Sequence, residues 1–423
     1  MLTRRGVLLA GATGFGLGAA PARAPRAAQG PPVPLGALFP LSGEAALLRD
    51  EAFRGVVLAV NALNAAGGLG GRPVALKRAD ARDPVIAAGA AKALIQKGKV
   101  SAIFGTAATP MALSASAAAA LAGIPYFELT ATGAAVTGRG LPGVFRSCPE
   151  AASFGTVSVA ATETVLAPLW KRAPGSLRLA VLATNAGLGQ AVAEAQAAAA
   201  KSRHLTLAQT LTYPAGTVDF LPLVRALEGA RIEVVLHTGF ANDIVLFFRA
   251  MTEGRWQPRM VIGCGPAYAM ADTRAAVGSA LDGTLAVDFP PYAIDQHAAP
   301  GVAAVESAYH TRYGAAPRSG LSLAAYVGAG FFFASMAKAG GTDHAKLHQA
   351  VLQSDIACAT TANGWGAAFD EGGQNRRAGT VLAQWQNGRA VAVSPMALAV
   401  AEPAGALAAL PPPQAGKAAR AAP

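Results

Sequence analysis

Short apolar runs alternate with longer amphipathic or alanine-rich segments along most of this chain. Residues 33–39 are predicted to form a buried strand, residues 50–66 an amphipathic helix that ends at Gly67-Gly68, and residues 74–79 the next strand. Asp83-Pro84 places a capping residue and a proline at the start of a predicted helix 84–98. The cycle continues through strand 101–104, helix 110–121 and strand 125–128. This alternation is typical of βα units around a parallel sheet, so the pattern predicts an α/β fold.

A second series of the same kind begins after Pro149. The predicted strands and helices alternate here as well: strands 177–182, 205–211, 233–237 and 260–262, and helices 189–203, 218–228 and 242–253. Residues 301–353 return to helices, and Asn387-Gly388 predicts the turn of a closing hairpin. The chain is therefore expected to build two similar α/β lobes.

The amino terminus has the pattern of an export signal. Arg4 and Arg5 precede an apolar run over residues 6–20, which is shorter than the ~18–20 residues that a membrane span requires. Small residues follow, so cleavage is expected within residues 1–28. The paired arginines favour the twin-arginine route over general secretion. No later stretch reaches about 18 uninterrupted apolar residues, which predicts a soluble protein outside the cytoplasm; an uncleaved anchor is the alternative.

Composition and charge exclude several classes of function. The net charge of +11 is spread along 423 residues, without a dense basic run or a nucleic-acid-binding motif, so no nucleic-acid partner is predicted. With 52% hydrophobic and only 14% charged residues the chain is not an intrinsically disordered protein. Residues 401–423 are rich in alanine and proline and are predicted to be disordered.

No motif for catalysis, cofactor binding or metal binding is found in the sequence. The GxSxG, HExxH, GxxxxGK[ST] and GxGxxG patterns are missing, so no enzyme and no cofactor are predicted; an enzyme with an unrecognised site is a rival reading. His344 and His348 share a helix face but lack a third ligand, so no metal site is predicted. Of three cysteines, Cys148 and Cys264 are a candidate disulfide, and free buried thiols are the default.

Several short motifs are spread in order over residues 33–395. They include Pro40-Leu41-Ser42-Gly43, Phe53-x-Gly55, the run 59–72, Asp83-Pro84, Gly105 followed by Thr109, Ala131-Thr132, Phe145-Arg146 and Gly187-Leu188-Gly189-Gln190. In order and spacing these motifs resemble the branched-chain amino-acid type of periplasmic binding protein. The resemblance implies a type I fold: two Rossmann-like lobes with mostly parallel sheets, joined by a three-strand hinge near residues 148–151, 288–295 and 379–384. Lobe 1 would hold residues 29–150 and 292–378, and lobe 2 residues 151–291 and 379–400.

The same resemblance implies the function. Such proteins capture a small-molecule ligand between the lobes in the periplasm and deliver it to an ABC permease in the inner membrane, without catalysis; a monomer is expected. A periplasmic sensor that signals to a membrane receptor is the alternative, and the sequence does not separate the two.

In this family a ligand carboxylate is held at one loop by a hydroxyl and at the next by main-chain groups. The matching residues are Thr109 for the first loop and Thr130, Ala131 and Thr132 for the second. Thr109 precedes a helix whose free N–H groups and dipole attract an anion, which supports the assignment independently. A plain helix N-cap at Thr109 and an ordinary polar loop at 130–132 are the alternatives.

The second lobe departs from amino-acid receptors. Gly265 stands nearest to the acidic residue that pairs with the ligand ammonium in those proteins, and Leu188 replaces an aromatic residue, whereas Phe240 keeps one. An ammonium without its counter-ion would cost roughly 3–5 kcal/mol. The apolar surface expected from Leu48, Leu188, Phe240 and Tyr268 therefore favours a carboxylate with an apolar or aromatic body, with a small amide or a branched-chain amino acid as alternatives.

Three further polar residues are candidates for the site. Glu128 is the last residue of its predicted strand and is expected either to replace the missing acid and bind an amine, or to form a surface or interlobe ion pair. Asn185 and Asn242 lie in second-lobe loops, where each is expected to hydrogen-bond the ligand or to cap its own loop.

Overall fold

The computed structural model describes residues 30–40, 46–185 and 187–412. The predicted export signal, residues 1–28, lies outside this part, as do Leu41-Ser42-Gly43 and residues 413–423.

The first sheet is entirely parallel and has the strand order β2-β1-β3-β4-β5. Its strands and helices are β1 (Val33–Leu38), α1 (Ala46–Ala65), β2 (Val74–Ala79), α2 (Pro84–Gln96), β3 (Ile103–Gly105), α3 (Thr109–Leu121), β4 (Tyr126–Glu128) and β5 (Val144–Arg146). Asp83 caps α2 by accepting a 2.8 Å hydrogen bond from the Ile86 N–H, and Pro84 occupies the first helical position. The predicted helix start is confirmed.

The second sheet has seven strands in the order β12-β11-β10-β9-β8-β6-β7. Its elements are α4 (Ala151–Ala161), α5 (Ala167–Leu169), β6 (Leu179–Thr184), α6 (Gly187–Ser202), β7 (Leu207–Tyr213), α7 (Leu221–Gly229), β8 (Val234–Thr238), α8 (Ala241–Gly254), β9 (Met260–Cys264), α9 (Ala271–Val277), β10 (Leu285–Asp288), β11 (Val381–Gln386) and β12 (Arg389–Ser394). Strand β11 runs antiparallel to both neighbours. Asn387 and Gly388 have φ angles of 49° and 75°, so the predicted tight hairpin is confirmed.

Three helices return the chain to the first sheet: α10 (Val302–Tyr313), α11 (Leu321–Lys338) and α12 (His344–Leu352). Helix α11 lies against α1, where a Cβ on Gly55 would stand 2.0 Å from the Ser322 carbonyl oxygen. This close approach accounts for the glycine in the Phe53-x-Gly55 motif. Among the described helices α11 is apolar and long enough to cross a membrane, with mean hydropathy 1.3, but 72% of it is buried inside the protein.

The chain passes between the two sheets three times. It leaves the first sheet after β5, since α4 packs on β9, β10 and β11 of the second; it returns after β10 and crosses again before β11. The Ser153 and Thr380 hydroxyls, on two of these passages, lie 3.0 Å apart. The two-lobed α/β architecture is confirmed, and the residue bounds assigned to each lobe stay a prediction.

The expectation of a disordered tail from residue 401 is wrong for residues 401–412. The Trp170 indole N–H donates to the Gly405 carbonyl at 2.7 Å, and the Ala408 N–H donates to the Asp282 carbonyl at 2.8 Å. Leu407 is buried. An alanine- and proline-rich segment is ordered here because partners from lobe 2 satisfy its main-chain groups.

The candidate disulfide does not form, since Cys148, Cys264 and Cys358 are all free. Cys148 and Cys264 are buried free thiols, as predicted, whereas Cys358 is exposed. Burial raises the pKa of the Cys264 thiol to about 11, so it remains an inert thiol at neutral pH.

Candidate functional site

Two neighbouring loops at the carboxyl edge of the first sheet hold most of the predicted site. Strands β3 and β4 are adjacent and parallel, so the loops that follow them, residues 106–108 and 129–133, leave the same edge side by side. Ligands of open α/β sheets bind at this edge. Thr109, Thr130, Ala131, Thr132 and Glu128 are thereby brought together.

The Glu128 side chain accepts hydrogen bonds from both loops. Its carboxylate accepts hydrogen bonds from five main-chain N–H groups, those of Thr106, Ala107, Leu129, Thr130 and Ala131, at 2.6–3.2 Å. The Tyr126 hydroxyl donates a sixth at 2.9 Å. The residue is fully buried, and burial raises the pKa of Glu128 even though these hydrogen bonds act in the opposite direction.

This geometry contradicts both roles expected of Glu128. The carboxylate is not on the surface, and among the described residues it forms no ion pair with a cation, so it is neither an interlobe salt bridge nor an acid directed at a ligand amine. It is a buried hydrogen-bond acceptor that holds the two loops together. The Ala131 N–H, expected to help hold the ligand carboxylate, points to Glu128 instead.

The threonine hydroxyls remain as donors. Thr109 is the first residue of α3, not its N-cap, and its Oγ1 accepts the Gly133 N–H at 3.0 Å, which leaves its own proton to donate. A Cβ on Gly133 would stand 2.3 Å from the Thr109 Cγ2, so glycine is needed for this contact. Thr130 is 5% exposed, and its Oγ1 has no hydrogen-bond partner in the part of the chain that the structure describes. Thr132 is buried beside it.

Arg146, part of the Phe145-Arg146 motif, is a buried side chain that donates hydrogen bonds to several segments of the chain. The side chain is fully buried; it donates to the Gly133 carbonyl at 2.5 Å, to Gln374 at 2.6 Å and to the Glu150 carboxylate at 2.8 Å. It therefore fixes the loop after β4 to a segment more than 200 residues later. An arginine at the end of a buried strand was the signal that could have revealed it.

In lobe 2 the structure places Leu188 beside Gly265. A Cβ on Gly265 would stand 3.0 Å from the Leu188 Cδ2, and the residue has a φ of +101°. Side chains are strained at this φ, so an acidic residue at 265 would require a different backbone. The glycine at this position is thus favoured by the backbone conformation of the loop.

A buried polar chain supports the second-lobe loops. The Tyr213 hydroxyl lies 2.8 Å from the His237 Nε2, and the Tyr268 hydroxyl bonds the opposite ring nitrogen. Burial lowers the pKa of His237 to about 3, so the imidazole is neutral. Tyr268 is fully buried, which contradicts its expected part in the apolar lining. It orders the loops from within.

The other predicted residues lie at the carboxyl edges or beside them. Asn185 and Asn242 are exposed, and Phe240 is 45% exposed just before α8, where its N–H donates to the Asp243 carboxylate at 2.8 Å. Phe240 therefore offers apolar surface to an incoming molecule. Leu48 is half-buried in the first turn of α1 and packs against the main core.

The comparisons with known proteins agree with this architecture. The family model described as "Periplasmic binding protein" matches residues 32–390. The Leu/Ile/Val-binding protein homolog 7 of Brucella abortus (strain 2308) is 38% identical over 386 residues, covering 91% of this chain and 95% of the relative. Homolog 8 of the same strain is 39% identical over 371 residues, covering 88% and 92%.

Two solved structures share the fold at low sequence identity. The branched-chain amino acid substrate-binding protein LivJ of Streptococcus pneumoniae, in complex with isoleucine, has a TM-score of 0.73 at 19% identity and covers 86% of this chain and 100% of its own. A solute-binding protein of an ABC transporter from R. palustris, in complex with benzoate, has a TM-score of 0.71 at 19% identity and covers 88% and 98%.

The fold is that of a two-lobed solute-binding protein, and the candidate loops lie at the carboxyl edges of its sheets. This chain belongs to the periplasmic binding protein family, in its branched-chain amino-acid type. Proteins of this family bind small solutes outside the cytoplasm for ABC transporters and are not enzymes.

Proposed function

We propose that this protein captures a small carboxylate with an apolar or aromatic body and delivers it to an ABC permease. The observation that carries the proposal is the buried, unpartnered hydroxyl of Thr130 beside the donor-competent hydroxyl of Thr109. A buried hydroxyl without a partner costs free energy, and a ligand oxygen in the cleft would remove that cost.

The second lobe supports a ligand without an ammonium group. Gly265 offers no charge, and its backbone conformation disfavours an acidic substitute, while Leu188 and Phe240 present apolar surface. Contacts that a ligand makes with both lobes would favour the closed form, which the permease would recognise. Export by the twin-arginine route and a monomeric state belong to this proposal.

The relatives support the same chemistry. Isoleucine and benzoate, the ligands of the two structural neighbours, are both carboxylates with an apolar body, and they differ in the ammonium group. A branched-chain amino acid is the second candidate because the relatives of 38–39% identity are named Leu/Ile/Val-binding protein homologs.

The test compares ligands that differ in one group. The full chain, unfolded and refolded to strip carried-over ligand, is titrated with leucine, 4-methylpentanoate (leucine without its amine) and benzoate, with thermal melting as the readout. At a hundredfold excess over Kd a ligand adds about 2.7 kcal/mol to the free energy of unfolding. Stabilisation by the acids but not by leucine supports the proposal, and the reverse order supports the amino acid.

Thr130→Val isolates the hydroxyl at constant shape. Since that hydroxyl has no partner in the free protein, the variant should melt at or above the wild-type temperature and yet bind the preferred acid about 10- to 100-fold more weakly. Thr162→Val is the matched control, because the Thr162 hydroxyl is buried but donates to the Val159 carbonyl. This control should lose stability and keep its affinity. Equal affinity in Thr130→Val would remove Thr130 from the site.

A further inference from the structure

Arg49 is a partly buried cation whose charge is not matched within the described protein. It lies in the first turn of α1; its Nε is buried without a hydrogen-bond partner, and among the described residues no carboxylate pairs with it. Burial lowers the pKa of its guanidinium, with no neighbouring charge acting against that shift. At this nitrogen the guanidinium has lost water without gaining a protein partner.

The position of Arg49 on the helix directs it over the sheet. It shares a helix face with Ala52 and Val56, which are fully buried against the first sheet. Helix α1 begins beyond the carboxyl end of β1, and helical side chains lean toward the helix N-terminus. The Arg49 side chain is therefore placed over the carboxyl edge that also carries the loops after β3 and β4.

The acidic residues next to Arg49 have other partners. Asp50 bonds Arg54 at 2.8 Å and Arg78 at 3.2 Å, and Glu51 accepts hydrogen bonds from Tyr309 and from the Ser322 hydroxyl. The nearby carboxylates therefore bond other groups, and Arg49 has no counter-ion among the residues that the structure describes.

The hydrogen bonding of the two loops after β3 and β4 is a further reason to expect a cation at this edge. Five of their main-chain N–H groups are directed at the Glu128 carboxylate, so a ligand carboxylate at this edge finds hydroxyl donors but few free amides. Hydroxyls alone hold a carboxylate weakly when another carboxyl group lies beneath them.

We propose that Arg49 is the charge partner of the bound ligand and makes the site select anions over amides and zwitterions. The inference rests on the proposed function and deepens it by assigning the counter-charge. A monocarboxylate gains a charge-assisted contact with the guanidinium, an uncharged amide gains less, and an α-ammonium placed near Arg49 is repelled.

The experiment is calorimetric titration of the full chain with 4-methylpentanoate, benzoate and 4-methylpentanamide. Arg49→Met should weaken binding of both acids about 10- to 100-fold and change binding of the amide by less than about threefold. Arg49→Lys should retain part of the acid affinity. Lys92→Met, which removes an exposed cation from α2 of the same lobe, is the charge-matched control and should leave all three affinities unchanged.

The outcomes separate the inference from the proposed function. Wild-type binding of an acid with unchanged affinity in Arg49→Met overturns the role of Arg49 and leaves the proposed function standing. Equal losses for acid and amide also overturn it, since Arg49 would then shape the cleft and not supply charge. If wild type binds neither acid, the proposed function itself fails, and the inference with it. Thermal melting of each variant shows that it is folded.

Discussion

Replacing Glu128 tests whether one buried carboxylate organises the two loops that follow β3 and β4 in lobe 1. Its six donors come from both loops and from β4, and the residue is fully buried, so water cannot take its place. Glu128→Ala would leave all of these donors unpaired. Removal of one partner from a buried charged network typically costs 3–5 kcal/mol, and we expect a loss of about that size.

Glu128→Gln gives a graded comparison. The glutamine oxygen can replace Oε1, which accepts four of the N–H groups, but the amide NH₂ would then face the Thr106 N–H, now bonded to Oε2 at 2.6 Å. The Tyr126 hydroxyl can turn to accept from the NH₂ group. The Thr106 N–H and the amide hydrogen that faces it are left without an acceptor, so the expected loss is about 1–3 kcal/mol.

The free energy of unfolding is measured by urea denaturation, followed by tryptophan fluorescence and by far-UV circular dichroism so that separate unfolding of the lobes is detected. Glu194→Gln is the control, because Glu194 is exposed and bonds only Gln190 at 2.9 Å; it should change stability by at most about 0.5 kcal/mol. A Glu128→Ala variant within 1 kcal/mol of wild type, or a glutamine variant as damaging as alanine, would refute the reasoning.

Three further predictions concern other parts of the molecule. Burial raises the pKa of Asp288 to about 7, so the wild-type protein loses stability as pH rises through 7. Asp288→Asn should therefore be more stable than wild type at pH 8, by up to about 4 kcal/mol, and about as stable as wild type at pH 4. Urea denaturation at both pH values measures the difference. Burial lowers the pKa of His237 to about 3, so the pH dependence has the opposite sign: the stability that the neutral ring contributes is lost as pH falls below 6.5. His237→Phe should therefore be less stable than wild type, and the difference in the free energy of unfolding should be largest at pH 7.5 and shrink toward pH 4. A chain that ends at Val400 should melt several degrees below one that ends at Pro412, since only the longer chain keeps the hydrogen bonds to Trp170, Gln384 and Asp282; equal melting temperatures would contradict the packing of the tail.

The alternation of apolar strands with helices was sufficient to predict the architecture. Strand β2 was predicted with the observed bounds, and most other elements within a few residues, because each is encoded by local periodicity and punctuated by local signals such as Asp83-Pro84 and Asn387-Gly388. The elements that were missed are short or weakly patterned. Strand β10 has four residues, and α4 is a run of small residues without a polar face. Neither produces a periodic signal.

The site was predicted as far as residue types at loop positions allow. Thr109 and Thr130 could be named as candidates because they stand in motifs that resemble those of a known family. The role of Glu128 could not, because it depends on N–H groups of residues up to 22 positions away that only the pairing of β3 with β4 brings near. Arg49 was overlooked for the same reason: a charged residue in a first helical turn is unremarkable until its partners are known.

The sequence alone determined the two α/β series and the hairpin, because these follow from contacts between residues close along the chain. The candidate ligand loops were predicted from motifs that resemble those of a known family. The tertiary structure decided which polar groups are satisfied. Glu128 accepts six hydrogen bonds, and Thr130 and Arg49 are left with unmet hydrogen-bonding capacity among the described residues. Residues 401–412 are ordered by partners that include Trp170 and Asp282, each more than 100 positions away. Burial and hydrogen-bond satisfaction are properties of the packed chain, and they separate structural groups from those that await a ligand.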